Sequence, residues 1–189
     1  MSHLEQAYQF DIHVRRDVDE RLPAQGVVVV AKDIEQGVIY QNGDFKVTAF
    51  TVDHALIKAA FGYRVDYARH SVVLSGDTRY SENLIHFAQG ADVLIREVID
   101  PEAYRASDYL YSDLRKQKVI DHHTTPEQAG TVFSSQAKAK LAVYSHIVPF
   151  DASELVAHNR KTYSGPLEVG QDLTSIDIGD KVEVHPTTK

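Results

Sequence analysis

From residue 71 onward the chain repeats one pattern. A short apolar run ends in a polar turn, and a helix-patterned stretch follows. "SVVLSGDT" (71–78), "DVLIREV" (92–98) and "KLAVYSH" (140–146) are the runs. "YSENLIHFAQGA" follows the first, with Ser81 as a cap and Gly90 as a stop. "PEAYRASDYLYSDLRKQKVI" follows the second, with Pro101 in its first turn, and then "TTPEQAGTVFSSQAKA", capped by Thr125 with Pro126 at the first helical position. "ASELVAHNRKTY" (152–163) follows the third and reads as a further helix. Strands alternating with helices bury their apolar faces against one another, which constrains this stretch to an α/β layered domain.

The first part of the chain reads differently. "FDIHVRRDV" (10–18) alternates apolar and polar residues, as a strand does. "GVVVVAKDI" (26–34) and "GVIYQNG" (37–43) read as a hairpin or edge pair. "FKVTAFTVDH" (45–54) reads as a longer strand, and 63–67 and 71–75 as two short strands around a turn. The tail, "PLEVGQDLTSIDIGDKVEVH", reads as two or three short strands. No linker, repeat or low-complexity tract interrupts the chain. The simplest count is therefore one domain over residues 1–189, with a β-rich segment at 1–50.

The totals exclude several classes. The 189 residues carry no cysteine, so a thiolate metal site and disulfides are both ruled out. Any metal would be held by His, Asp and Glu, a donor set suited to zinc, manganese or iron. The net charge of -7 argues against a broad basic face, and nucleic acid is not the expected partner. No apolar run approaches the ~18 residues that would span a membrane, and the start has no apolar signal core, so the expected location is cytoplasmic.

Three segments stand where strands end or helices begin: "SGDT" (75–78), "DHHTTPEQAG" (121–130) and "YSHIVP" (144–149). Loops after the carboxyl ends of strands in an α/β sheet share one rim, so Asp77, His123 and His146 could converge on a divalent metal. Each also has a plainer reading. Asp77 could be a turn or cap acid, and taken singly that is the stronger reading. His122 and His123 could be surface residues before a capped helix. His146 could be a strand-end histidine bonded to a carbonyl.

Taken together, "FTVDH…AFGYRV…SVVLSGDT…NLIHFAQGADVLIREV…HHTTPEQAG…LAVYSHIVP" resembles the metallo-β-lactamase superfamily, and within it the tRNase Z and arylsulfatase-like branch. The likeness runs from about Phe45 to Pro149. It implies an αββα sandwich fold and metal-dependent hydrolysis of a phosphodiester or sulfate ester. Position by position, it implies that Asp77 is the carboxylate bridging two metals and His146 the last histidine ligand. His123 becomes a proton donor near the leaving group, oriented by Glu97. His54, Tyr63 and Arg64 fall at positions near the substrate rim.

The family's principal metal motif, His-x-His-x-Asp-His, is absent, as are the strands that precede it. The chain therefore resembles the C-terminal half of such a domain over residues 51–189. Its expected architecture is an incomplete sandwich with one main mixed sheet, helices and the β-rich start. Two ligands cannot hold a dinuclear site, so this chain alone is expected to bind metal weakly or not at all. The sheet's inner face would lie bare, which predicts a two-fold homo-oligomer, a missing N-terminal half, or residues 10–50 folded over it. Three functions follow. The first is a hydrolase acting on a small-molecule ester, conditional on donors from elsewhere. The second is a non-catalytic truncated relative that persists as a self-associating domain. The third, and least favoured, is a nucleic-acid-binding module.

Overall fold

The alternation after residue 71 is realised as a single sheet. A computed structural model describes residues 2–149 and 154–187 and divides the chain into two units, 1–34 and 35–189. In the larger unit seven strands lie side by side in chain order: β1 (Gly37–Asn42), β2 (Phe45–Thr51), β3 (Phe61–Tyr67), β4 (His70–Leu74), β5 (Val93–Ile99), β6 (Leu141–Val148) and β7 (Leu167–Val169). The first four pair antiparallel. From β4 to β7 the pairing is parallel, as strands joined by helical crossovers require. The sheet is mixed, and the larger unit is α/β.

The helices of the larger unit sit in the crossovers. Its first helix lies at Glu82–Phe87, between β4 and β5, with the Ser81 hydroxyl accepting from the Leu84 N–H. The next pair, Pro101–Ala106 and Asp113–Ile120, replaces the one long helix expected over 101–120. The break has a local cause. Ser107 leaves the helical region with ψ 151°, and Ser112 restarts the chain by accepting from the Arg115 N–H. A further helix at Pro126–Val132 has a complete capping box between Thr125 and Gln128. The last, Leu155–Asn159, is shorter than the expected 152–163; Ala152 and Ser153 lie outside the described residues.

Alternation along the strands sends side chains to two faces. On one face Phe50, Val73, Leu94, Val98, Ala142 and Tyr144 form a closed core with Leu84, Ala129, Val132, Phe133 and Leu155 of the helices. Phe50 is fully buried, with its ring stacked 4.6 Å from that of Phe87. The opposite face is covered in part by a separate hairpin, β8 (Ser175–Ile178) and β9 (Val182–His185), whose Ile176, Ile178, Val182 and Val184 pack on Val93, Leu141 and Val143. Further along that face the side chains stay open. Tyr40 is 53% exposed and Tyr67 61%.

The N-terminal stretch corrects the sequence reading. Residues 10–18 are helical, not a strand: Gln9–His13 is an α-helix that continues into wide turns over Val14–Val18, and a first helix spans Ser2–Ala7. Charge spacing beats alternation here. Asp11–Arg15 at 3.1 Å and His13–Asp17 at 3.0 Å are i,i+4 pairs that only a helix brings together. Residues 26–34 form no strand either; a single 3-10 turn covers Ala24–Val27, and Val30 is 86% exposed. Four consecutive valines have β propensity, but among the described residues they pair with no strand. The β-rich segment thus begins at Gly37, and its strands enter the main sheet as β1 and β2 rather than forming a second one. Among the described residues no helix is long and apolar enough to cross a membrane.

Candidate functional site

The carboxyl ends of β4, β5 and β6 meet at one rim. Beyond β4 the chain turns sharply at Gly76, whose φ is +60°. A β-carbon there would run into the Phe61 carbonyl oxygen, so the turn needs glycine on both counts. The turn is tied to β5: the Ser75 N–H donates to the Ile95 carbonyl at 2.9 Å, and the Ser75 hydroxyl accepts from the Glu97 N–H at 3.2 Å. Asp77 projects from this turn, half-exposed.

His146 reaches the same place by a different device. Arg96 pairs with Tyr144, but Val98 pairs with Ile147, so Ser145 and His146 together oppose Glu97. That extra residue is a bulge in β6, and His146 sits in it at φ +47°. Its Nε2 lies 3.7 Å from Asp77 Oδ1. A bulge re-aims a side chain that regular alternation would send elsewhere.

His123 completes the group, with its ring 5.7 Å from that of His146. Its Nδ1 is 2.8 Å from Glu97 Oε2, and Glu97 Oε1 accepts from the Thr124 N–H at 2.9 Å. Because the carboxylate accepts, Nδ1 carries the proton and Nε2 is left free for chemistry at the rim. Burial works most strongly on His123 and lowers its proton affinity. The Glu97 hydrogen bond, the Glu97 charge and the Asp77 charge together outweigh it, and the pKa stands above the ordinary 6.5. A carboxylate–imidazole pair of this kind can hold a proton and deliver it to a leaving oxygen.

His54 belongs to the same cluster. Its Nδ1 donates to the His122 carbonyl at 3.0 Å, and its ring lies 5.5 Å from that of His122 and 5.6 Å from that of His123. Among the described residues, neither Tyr63 nor Arg64 joins it through a hydrogen bond. Arg64 is committed to Asp66 at 2.9 Å and to the Phe87 and Gln89 carbonyls at 2.8 and 3.0 Å, where it caps the end of the Glu82–Phe87 helix. Tyr63, next along β3, pairs with Ala49 and Leu74.

Beneath the rim lies a residue to which the sequence reading gave no role. Arg96 is fully buried and donates to the Thr124 hydroxyl, which in turn donates to the Thr78 carbonyl at 2.6 Å. Burial pulls this guanidinium down to about 10 against the attraction of Glu97, so it remains charged at neutral pH. One buried chain of hydrogen bonds thus joins the Asp77 turn, the Glu97 strand end and the His123 loop. A charged pair, Arg-Glu, inside the apolar run "LIREV" was the signal that could have found it.

The donors fall short of a metal site. Asp77 and His146 are two donors, whereas a zinc takes four. Among the described residues no three His, Asp or Glu side chains form a metal-holding group. The residues of this chain do not by themselves fit the metal centre that the resemblance implies.

Comparison with known proteins agrees with the fold. The family model described as a beta-lactamase superfamily domain matches residues 1–147. A ribonuclease Z of Mycolicibacterium gilvum is 27% identical over 186 residues, covering 95% of this chain and 60% of its own. A putative ribonuclease Z of Mycobacterium tuberculosis (strain CDC 1551 / Oshkosh) is 30% identical over 141 residues, covering 71% of this chain and 57% of its own. The crystal structure of Zn(2+)-bound PqqB from Methylobacterium extorquens matches with a TM-score of 0.57 at 17% identity, over 88% of this chain and 60% of that one. The metallo-beta-lactamase fold protein YhfI from Bacillus subtilis matches with a TM-score of 0.55 at 20% identity, over 77% and 52%. The chain therefore spans little more than half the length of the proteins it matches.

Proposed function

The chain belongs to the beta-lactamase superfamily, and from that premise we propose that it supplies the proton-transfer part of a phosphodiester-hydrolysing site that acts on RNA. The observation that carries the reading is the His123–Glu97 pair at 2.8 Å, facing the same rim as Asp77 and His146. As the imidazolium, His123 gives its Nε2 proton to the departing oxygen and keeps the Nδ1 proton directed at Glu97, which orients the ring and steadies its charge. Asp77 and His146 would supply two donors to a metal, which would need further donors from a second piece to activate water there.

The relatives named ribonuclease Z support RNA over a sulfate ester or a small-molecule ester. They also speak for a nucleic-acid partner, against the expectation drawn from the net charge of -7. An average charge says little about one rim, and a strand can be held by stacking as well as by phosphate contacts.

The test is reconstitution. The chain is mixed with the part of the Mycolicibacterium gilvum relative that it does not cover and with zinc, and hydrolysis of bis(4-nitrophenyl) phosphate is followed. Turnover that depends on both pieces and is lost in His123→Ala is the expected result. Turnover unchanged by His123→Ala overturns the role of the pair.

A second reading has its own observation. The open stretch of the sheet, with Tyr40 and Tyr67 more than half exposed, favours a non-catalytic relative that associates with itself through this face. Light scattering that finds only monomer at micromolar concentration removes it.

A further inference from the structure

We propose that Tyr109 and Tyr111 form a stacking platform for unpaired nucleobases of the strand whose phosphodiester lies at His123. This rests on the RNA reading above. The two rings lie 6.1 Å apart and 19° from parallel, and both side chains are open to solvent, 45% and 40% exposed. The Arg115 guanidinium covers the Tyr111 ring at 4.1 Å, adding a cation beside an aromatic face. Leu110 between them is fully exposed. An unpaired base asks for a flat apolar face with a positive charge beside it, and this loop offers both.

The loop is held in this shape. Lys116 is buried and donates from Nζ to the Arg105 carbonyl at 2.7 Å and the Ser107 carbonyl at 2.8 Å, closing the two ends of the 101–120 region on each other. Lysine seldom buries its head group without partners, and here both partners are backbone carbonyls at the end of the Pro101–Ala106 helix, where the loop begins. The tyrosines are therefore presented from a fixed base.

Packed side chains link the platform to the rim. Tyr109 touches Tyr104 at 5.5 Å between ring centres, and Tyr104 packs in a buried cluster with Ile120. Ile120 and His123 line one depression of about 540 Å³. The helix Asp113–Ile120, which links the tyrosine loop to the His123 loop along the chain, is about 12 Å long at 1.5 Å per residue. That matches about three to four bases at the ~3.4 Å rise of a stacked strand. A strand with its cleaved bond at His123 would lay its flanking bases on the tyrosines.

The experiment is fluorescence anisotropy of a fluorescein-labelled eight-nucleotide single-stranded RNA with the full chain at low salt. A strand of the same length without bases serves as the second probe. The expected result is that Tyr109→Ala and Tyr111→Ala weaken binding of the RNA roughly five- to a hundredfold. Tyr109→Phe and Tyr111→Phe keep it, Tyr67→Ala on the sheet leaves it unchanged, and the strand without bases binds as weakly as the alanine variants bind RNA. Equal binding of both probes, equal binding by the alanine variants, or no binding by the unaltered chain overturns the platform. So does a result in which the alanine variants change only self-association. Binding needs no hydrolysis, so the two readings fail separately. Absent turnover with base-dependent binding removes the hydrolase reading alone, and turnover with base-independent binding removes the platform alone.

Discussion

The strands β4, β5 and β6 have two ends, and the chain treats them in opposite ways. At the amino ends Asp92 is buried and satisfied. It accepts from the Ser71 N–H at 2.7 Å and from Lys140 Nζ at 2.7 Å, with His70 at 3.5 Å. Its own carbonyl accepts from the Leu141 N–H, so one residue fastens the starts of all three strands. At the carboxyl ends Asp77 and His146 are half-exposed, 3.7 Å apart, and carried by a left-handed glycine and a bulge. A carboxylate whose partners are complete contributes stability. One held at a strained turn with its oxygens open retains the capacity to bind. The contrast teaches that this sheet separates holding the fold together from presenting chemistry, at opposite ends of the same three strands.

The comparison can be broken, or sharpened, in several ways. The largest expected effect is at the carboxyl end. If the proposed hydrolysis is reconstituted, His123→Ala should lower turnover of bis(4-nitrophenyl) phosphate by about 10²–10⁴, measured as initial rates. Asp92→Asn should leave those rates unchanged; a matching loss there would erase the division. Next come two glycines with positive φ, Gly76 at the carboxyl end and Gly90 just before β5. Both carry the backbone penalty of alanine in that region, about 1–2 kcal/mol. Only Gly76 also faces a carbonyl where the new carbon would stand. Urea denaturation should therefore find Gly76→Ala the more costly of the two, and equal losses would mean that the turn relaxes freely.

Asp92→Asn should cost about 2 kcal/mol of stability near pH 7, because two hydrogen bonds to a charged acceptor weaken. The effect has a sign in pH. Desolvation, the largest influence on Asp92, raises its pKa, but Lys140, the Ser71 amide and His70 together hold it below the ordinary 3.8. Its stabilisation is thus present above pH 3.8 and is lost as pH falls through the lower, folded value. Thermal melts from pH 6 down to 2 should show a shallower acid decline in Asp92→Asn than in the unaltered chain. The smallest effect belongs to Asp77→Asn, within about 0.5 kcal/mol by the same denaturation, since its partner is half-exposed and the gap is long. A loss as large as that of Asp92→Asn would show that the carboxyl end also holds the fold together.

Much of the sheet was legible in the residues because alternation and capping act locally. The Ser81 cap, the Thr125–Gln128 box and the apolar runs of β4 to β6 each announce an element without help from the rest of the chain. Residues 10–18 misled for a related reason. Phe10, Ile12 and Val14 alternate with charged residues, but a strand needs a neighbour, and the competing signal was the four-residue spacing of Asp11–Arg15 and His13–Asp17. The break at Ser107 was hidden because both halves of 101–120 favour helix. What closes the gap is Lys116 folding back on two carbonyls, a contact that no local pattern encodes.

The residue order alone offered the candidates for chemistry, an acid on a glycine turn and histidines at the ends of strand and helix patterns, and the family resemblance added Glu97. The tertiary structure decided which of them meet. It drew Asp77, His123, His146 and His54 to one rim, sent Arg64 to a helix end, and buried Arg96 as the hub beneath. The physical reason is that strand register, a one-residue bulge and a left-handed turn set directions in space. Those depend on pairing between segments far apart in the chain, which spacing along it does not record.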